Sequence, residues 1–304
     1  MKLNLNKRDK ICFFGDSITA NGLWIKEVIE YFVEKHPDLK VGFYNCGIGG
    51  TKGYEANIKD RMFADLFGFS PKYVVVMFGM NDVPIRLCSP LNTEQNKTVQ
   101  IDNALNKYPA SLENIIEMCK KYDAIPIICS PTPYDQYNER ERENWQGDVL
   151  LQKCSNAAKE VADKHGLLYI DMRTAMIDNM DKKPIGEDRV HPNAFGQHIM
   201  AQSFLKGIGE IDEIDADSVC KFSKINEERF AVEQKLRQIM FVERNYMGWH
   251  YEEDMPLDER KKHVEEKDWD QGLLGIKQTY LENVDYSASI YADLIRLTLN
   301  LYES

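Results

Sequence analysis

Between residues 10 and 209 the chain alternates short, unbroken apolar runs with longer segments of helical period, and this alternation restricts its fold more than any other feature. The runs are Ile11–Phe14, Val41–Asn45, Tyr73–Phe78, Ile125–Cys129 and Leu167–Ile170. Each is continuous in apolar character instead of alternating, the pattern of strands covered on both faces of a parallel sheet. The stretches 24–35, 103–122, 147–164 and 194–206 carry apolar residues at helical spacing, as with Leu150, Cys154, Ala157, Ala158, Val161 and Ala162. Such βα alternation predicts a doubly wound α/β domain, whose ligands bind beyond the carboxyl ends of the strands. Chemistry is therefore sought just after each strand.

Beyond residue 210 the strand-like runs stop. Residues 222–247 place Phe222, Ile225, Val232, Leu236, Ile239 and Met240 at mostly helical spacing, and 284–301 place Ile290, Leu294, Leu297 and Leu301 on one face. Between them, 248–272 hold Trp249, Pro256 and Trp269 among many charges without one dominant period. A length of 304 residues suits one large domain with an appendage, read here as an α/β domain over 1–211 and a helical extension over 212–304. The formal charge of −11 is uneven. Residues 211–304 carry 12 Lys and Arg against 21 Asp and Glu, net −9, leaving 26 against 28, net −2, for residues 1–210. That balance argues against nonspecific nucleic-acid or anionic-membrane binding.

The seven cysteines are far apart, with no CxxC pair or metal-ligand rhythm, and read as buried free thiols; no metal or cofactor is expected. The N-terminal residues offer no apolar stretch of signal-peptide length, and no run of about 18 uncharged apolar residues occurs, so a cytoplasmic protein with no membrane insertion is expected.

Four short motifs stand at the predicted strand ends. The first strand runs into Gly15-Asp16-Ser17-Ile18-Thr19, displaying a carboxylate and a hydroxyl. The second ends in Asn45-Cys46-Gly47-Ile48-Gly49-Gly50-Thr51, which lacks both the GxxxxGK[ST] and GxGxxG patterns and so disfavours nucleotide binding. The third ends in Gly79-Met80-Asn81-Asp82, and Asp188-Arg189-Val190-His191-Pro192 closes the alternating region. Taken singly, each reads equally well as an ordinary turn or helix cap. Their coincidence at successive strand ends calls for another account.

In identity and order the four blocks resemble those of the SGNH (GDSL) hydrolases, serine esterases and acylhydrolases on a flavodoxin-like sheet; the usual final leucine of GDSL is Ile18 here. The resemblance covers roughly residues 10–209. It implies a three-layer α/β/α fold with a five-stranded sheet, Ser17 as nucleophile, Asp188 and His191 as its partners, and Gly50 and Asn81 as oxyanion donors. The chemistry is coherent on elementary grounds. A serine hydroxyl needs a base, and histidine suits that role near neutral pH. A carboxylate three residues upstream can hold the imidazole tautomer. The backbone N–H groups of Ser17 and Gly50 and the Asn81 amide would then meet the oxygen on which charge develops. Asp16 reads as an organiser of its turn and a candidate substrate contact, Asp82 as a turn former, and His198 as a surface or packing residue.

The resemblance leaves the substrate open among carbohydrate acetyl esters, lipids, lysophospholipids and thioesters. Two segments should border the site: 83–100, which is polar, and 132–145, which carries Tyr134, Tyr137 and Trp145. Hydrogen-bonding groups with a few aromatics suit a hydroxyl-rich acceptor bearing a short acyl group, so removal of O-acetyl groups from a sugar or oligosaccharide is the first expectation. The aromatics serve equally well as packing within their loop. A lipase, lysophospholipase or thioesterase acting on longer acyl chains is the alternative, and a noncatalytic sugar-binding protein is the alternative of another class. The extension has three readings: a structural buttress, a homodimer interface through its apolar helix faces, or a lid carrying Trp249, His250, Tyr251 and Trp269.

Overall fold

Parallel strands β1 (Lys10–Gly15), β2 (Gly42–Asn45), β3 (Tyr73–Met77), β4 (Ile125–Cys129) and β5 (Tyr169–Ile170) form one sheet in the order β2-β1-β3-β4-β5. The structure, a computed structural model, describes residues 3–56, 62, 66–89, 92–135, 147–180, 183–186, 188–246 and 256–303. The chain leaves β1 for β2 and returns past β1 to β3. The direction of winding therefore reverses between β1 and β3, and a crevice opens at their carboxyl ends. Gly15 stands in register with Met77 there, so the segments following these two strands emerge side by side.

Helices cover both faces of the sheet. On one face Phe13 packs against Trp24 of α2 (Leu23–Lys35) and Phe204 of α7 (Ala194–Gly207), with ring centroids 5.0 and 5.5 Å away. The next residue, Phe14, points the other way and meets Phe78 at 5.4 Å. Beyond Phe78 lie α4 (Lys97–Lys121), whose Tyr108 hydroxyl donates to the Phe78 carbonyl, and α5 (Gly147–His165), which packs on α4. Phe13, Trp24 and Phe204 are wholly buried, each contributing roughly 1.5–3 kcal/mol of transfer free energy. Short α-helices α1 (Ser17–Asn21), α3 (Gly53–Ala56) and α6 (Thr174–Met180) also lie among the described residues of this unit.

Some boundaries differ from the sequence reading. Helix α4 begins six residues earlier than expected because its first turns are largely exposed and polar and carry no apolar period. Strand β5 shrinks to two residues because the Leu167 N–H turns back to the Ala162 carbonyl of α5. The cysteines are free; burial pushes the thiols of Cys119 and Cys154 up to about 12, which leaves them inert at neutral pH.

The chain divides into two compact units, 1–221 and 222–304. Residues 212–221, which their acidity groups with the C-terminal part, lie in the first unit, where the Asp215 carbonyl meets the His198 ring at 3.0 Å. The second unit is built of α8 (Lys224–Tyr246), α9 (Leu257–Glu266), α10 (Leu274–Asn283) and α11 (Ser287–Asn300). Its core joins Ile239, Val242, Val264, Tyr280 and Val284. Within it, a buried Arg229 guanidinium bonds Glu233 at 2.8 Å and the Thr298 hydroxyl at 3.1 Å. Among the described residues no helix is long and apolar enough to cross a membrane.

Candidate active site

The turn after β1 is tight. A Cβ on Gly15 would fall 2.1 Å from Thr19 Oγ1 and 2.6 Å from the Met77 carbonyl, so a side chain there would force β1 from β3. Asp16 caps α1, its Oδ1 accepting the Ile18 N–H at 3.0 Å. Ser17 is thereby placed on the first turn of a helix, with its side chain half-buried at the mouth of the crevice.

The second motif braces this turn. Asn45 donates its amide to the Thr19 carbonyl at 2.8 Å and accepts the Gly47 N–H at 2.9 Å, while the Ile48 N–H reaches the Gly15 carbonyl at 3.1 Å. The loop then turns through Gly50 at φ +76°, a conformation that favours glycine, leaving Gly50 exposed. From the end of β3, the Asn81 amide reaches the Thr51 carbonyl at 3.2 Å and Asp16 Oδ2 at 3.4 Å, joining the first three motifs. Asp82 organises the same junction from beneath. Its Oδ1 accepts the Gly53 N–H at 2.8 Å and its Oδ2 the Gly79 N–H at 3.0 Å. Burial first, and the Asp16 charge second, push the Asp82 carboxyl up to about 7 despite these two bonds.

His191 arrives on the loop before α7. That loop is held by a bridge between Gly186 and Pro192, by Asn193 capping α7 through the Gly196 N–H, and by the Asp135 N–H bonded to the Arg189 carbonyl. His191 Nε2 lies 2.8 Å from Ser17 Oγ, and its Nδ1 lies 2.6 Å from Asp188 Oδ2. Asp188 Oδ1 accepts the N–H groups of His191 at 2.7 Å and Val190 at 3.0 Å. Burial opposes ionisation of Asp188, but the hydrogen bonds from the His191 ring and from these two N–H groups outweigh it and hold the carboxyl below the ordinary aspartate value. An ionised Asp188 accepts from Nδ1–H, which leaves the Nε2 lone pair facing the Ser17 hydroxyl. This arrangement can withdraw a proton from Ser17. Among the described residues no group of three or more His, Cys, Asp or Glu side chains is placed to hold a metal ion.

The remaining candidates are scattered. Asp16 is 2% exposed and works within the turn. Tyr134 is 6% exposed; its N–H bonds Asp148, itself paired with Arg173, so its ring belongs to the packing around the β4 loop. Tyr137, Trp145, Trp249, His250 and Tyr251 lie outside the described residues. His198 is buried, bonded to Glu27 at 2.6 Å. A cavity of about 580 Å³ bordered by Asn81 is lined by Val83, Arg86 and Gln100 of the segment expected to border the site, and by Lys52, Tyr54 and Lys107, which sequence reasoning missed. Only Lys52 and Tyr54 lie near a motif; Lys107 sits mid-helix on α4, where nothing in the local pattern marks it.

The profile of the GDSL-like lipase/acylhydrolase family matches residues 11–204. An acetylxylan esterase of Geobacillus stearothermophilus is 25% identical over 225 residues, which are 68% of this chain and 97% of that enzyme. An acetylxylan esterase of Xylanibacter ruminicola is 24% identical over 211 residues, 66% of this chain and 43% of that enzyme. Among solved structures, a gut microbial diltiazem-metabolizing enzyme superposes over 100% of this chain and 96% of its own, with a TM-score of 0.73 and 17% identity. The Geobacillus acetylxylan esterase structure superposes over 68% of this chain and 97% of its own, with a TM-score of 0.55 and 24% identity. At these identities the structural matches speak to the fold alone.

Proposed function

The chain belongs to the GDSL-like lipase/acylhydrolase family and is a carboxylic ester hydrolase, and from that premise we propose that it removes O-acetyl groups from carbohydrates through an acyl-Ser17 intermediate. The observation that carries this reading is the unbroken line from Ser17 Oγ through the His191 ring to Asp188, at 2.8 and 2.6 Å. His191 Nε2 takes the hydroxyl proton as Oγ attacks the ester carbonyl, and Asp188 stays ionised to stabilise the imidazolium. The oxygen that gains charge is met by the N–H groups of Ser17 and Gly50 and by the Asn81 amide. Of the two Asn81 contacts, the 3.4 Å approach to Asp16 is the longer and weaker, and it is the one an oxyanion would replace. The tetrahedral intermediate collapses, the C–O bond to the sugar breaks, and the imidazolium returns its proton to the departing sugar oxygen. Water, deprotonated by His191, then attacks the acetyl-Ser17 carbonyl and releases acetate with Ser17 restored.

Two features support a bulky, hydroxyl-rich acceptor. The His191 and Asp188 side chains are 46% and 45% exposed, so the reacting groups stand at a surface that a polymer can approach. The cavity beside Asn81 sets the amides of Asn81, Gln100 and Asn103 and the charges of Lys52, Arg86 and Lys107 opposite a short apolar stretch at Val83–Ile85, a mixed wall that suits a sugar better than a long acyl chain. The acetylxylan esterase relatives point the same way. The test is a panel of p-nitrophenyl esters of increasing acyl length together with acetylated xylooligosaccharides. Rates should peak at acetate or propionate, a fluorophosphonate probe should label Ser17, and Ser17→Ala should abolish both turnover and labelling. A peak at octanoate or beyond would move the activity to lipids, and wild-type turnover by Ser17→Ala would remove the acyl-enzyme.

A further inference from the structure

The cavity beside Asn81 collects cations that the catalytic chemistry does not use. Residues 1–210 are close to neutral, yet the thirteen lining residues include Lys52, Arg86 and Lys107 against a single acid, Asp82. Arg86 is occupied by Glu94 at 3.0 Å. The two lysines are differently placed. Among the described residues the carboxylate that approaches Lys52 within 4.0 Å is Glu55, at 3.9 Å, and Glu55 turns its other oxygen to the Lys52 backbone N–H at 2.9 Å as a cap on α3. Lys107 has no carboxylate within 4.0 Å among the described residues. The Lys52 ammonium donates to the Tyr54 hydroxyl at 3.3 Å, at the rim of the ring, the Lys107 ammonium lies 5.5 Å from the ring centroid, and Tyr54 is 43% exposed. Tyr54 therefore offers an open aromatic surface flanked by two cations with little or no ionic pairing among the described residues.

Among the described residues neither ammonium has a close carboxylate partner, so both charges are available to a bound anion. Partial burial of Lys52 favours its neutral form, but the Tyr54 hydroxyl, Glu55 and Asp82 outweigh it and raise its pKa, so the ammonium persists through neutral pH. Asp82, with its carboxyl up to about 7, cancels little of this charge below neutrality. An aromatic face suits the C–H face of a sugar ring, and paired ammonium groups suit a carboxylate on it.

We propose that this cavity is an anionic subsite for the carboxylate of a uronic-acid residue in the acyl acceptor, with Lys52 and Lys107 as its charge partners and Tyr54 as the platform beneath the sugar ring. The assignment rests on the carbohydrate reading of the active site and narrows it to acidic polysaccharides. Asn81, which borders the cavity, links the subsite to the turn that carries Ser17.

Two measurements on the full chain test the subsite. In the first, kcat/KM is compared for acetylated oligogalacturonides with free carboxylates and for the same oligomers as methyl esters, which keep the ring and the acetyl group and lose the charge. The free acid should be preferred about tenfold at low ionic strength, and the preference should fade in 0.5 M salt as exposed ion pairs are screened. Lys52→Gln/Lys107→Gln should bring the ratio to about one, and Lys107→Glu should invert it; taking a ratio cancels any general loss of activity. A wild-type ratio of one or below overturns the proposal. In the second, binding of D-galacturonate and of D-galactose is followed by ligand-observed NMR, with no turnover required. Binding of the acid alone, lost in the double variant, supports the subsite; equal binding, or none of the acid, overturns it. If p-nitrophenyl acetate is hydrolysed while no acetylated sugar is, the carbohydrate reading of the active site fails, and galacturonate binding still decides the subsite by itself.

Discussion

Replacing Asp188 with Asn tests the proposed chemistry most sharply, because the local geometry dictates how the new amide must sit. In the wild type one carboxylate oxygen accepts two backbone N–H groups, at 2.7 and 3.0 Å, and the other accepts His191 Nδ1–H at 2.6 Å. An amide has one oxygen to offer. Turning it towards the backbone keeps two hydrogen bonds but sets an NH2 against Nδ1, which shifts the imidazole proton to Nε2 and removes the lone pair that Ser17 needs. Turning it the other way rescues the tautomer but opposes the NH2 to two N–H donors. At 0.5–1.5 kcal/mol per hydrogen bond, that flip costs about 2 kcal/mol, so only roughly one molecule in thirty holds the competent orientation. Loss of the charge that stabilises the imidazolium lowers the rate further, though less than the ~10⁴ typical of a buried triad, because this pair is about half exposed. The expected fall in kcat for p-nitrophenyl acetate is about 10³, or roughly 4 kcal/mol of barrier. Asp188→Ala, which presents no NH2 to Nδ1, should retain about tenfold more activity than Asp188→Asn by the same reasoning. A kcat in Asp188→Asn above a tenth of wild type, or one exceeding that of Asp188→Ala, refutes the orientation argument.

Other perturbations follow from the core and from the buried ionisable groups. Phe204→Ala removes a wholly buried ring packed against Phe13 at 5.5 Å and Trp24 at 5.7 Å, and should cost about 3–5 kcal/mol in urea unfolding; a loss under about 1 kcal/mol would show that the site collapses around the gap. His198 is raised above 6.5, chiefly by its bond to Glu27. Its contribution to stability is therefore complete below pH 6.5 and is lost as pH rises through the higher folded value, so His198→Gln should flatten the decline in unfolding free energy between pH 6 and 9, and equal slopes would rule this out. Asp82 should titrate near 7 in a carbon-detected NMR experiment. Because its folded value exceeds the 3.8 of an open chain, its effect on stability should worsen from about pH 4 to 7 and level off above, and a midpoint below 5 would contradict the burial argument.

The strands were legible because each is buried on both faces and so spells itself in unbroken apolar residues, as with Val74, Val75 and Val76 in β3. Helix α8 showed itself through Leu236 and Ile239 on one side. Helices α9 and α10 did not: each has one fully buried side chain, Val264 and Tyr280, and a single anchor makes no period. Tyr134 illustrates the converse. In sequence it stands in a polar loop that suggests exposure, whereas in the fold its backbone N–H bonds Asp148 and the residue is buried. The role of Asn45 as a clamp between the second motif and the turn bearing Ser17 was equally invisible, since its partner carbonyl belongs to Thr19, 26 residues away.

The sequence by itself determined what is local: which segments are strands, which residues follow them, and that Asp188 lies at the right spacing to bond the ring of His191. Only the tertiary structure decided what those segments meet. Ser17 and His191 are 174 residues apart, and they meet because the Ser17 turn and the loop before α7 are each held in place by long-range hydrogen bonds. The juxtaposition of the Ser17 and Asn81 turns likewise follows from the strand order that places β3 beside β1. Lys52, Tyr54 and Lys107 likewise share a wall only because α3 packs on α4. Residue periodicity reports which face of an element is buried, but the free energy that selects its neighbours is shared among many contacts across the chain, and no single segment carries it.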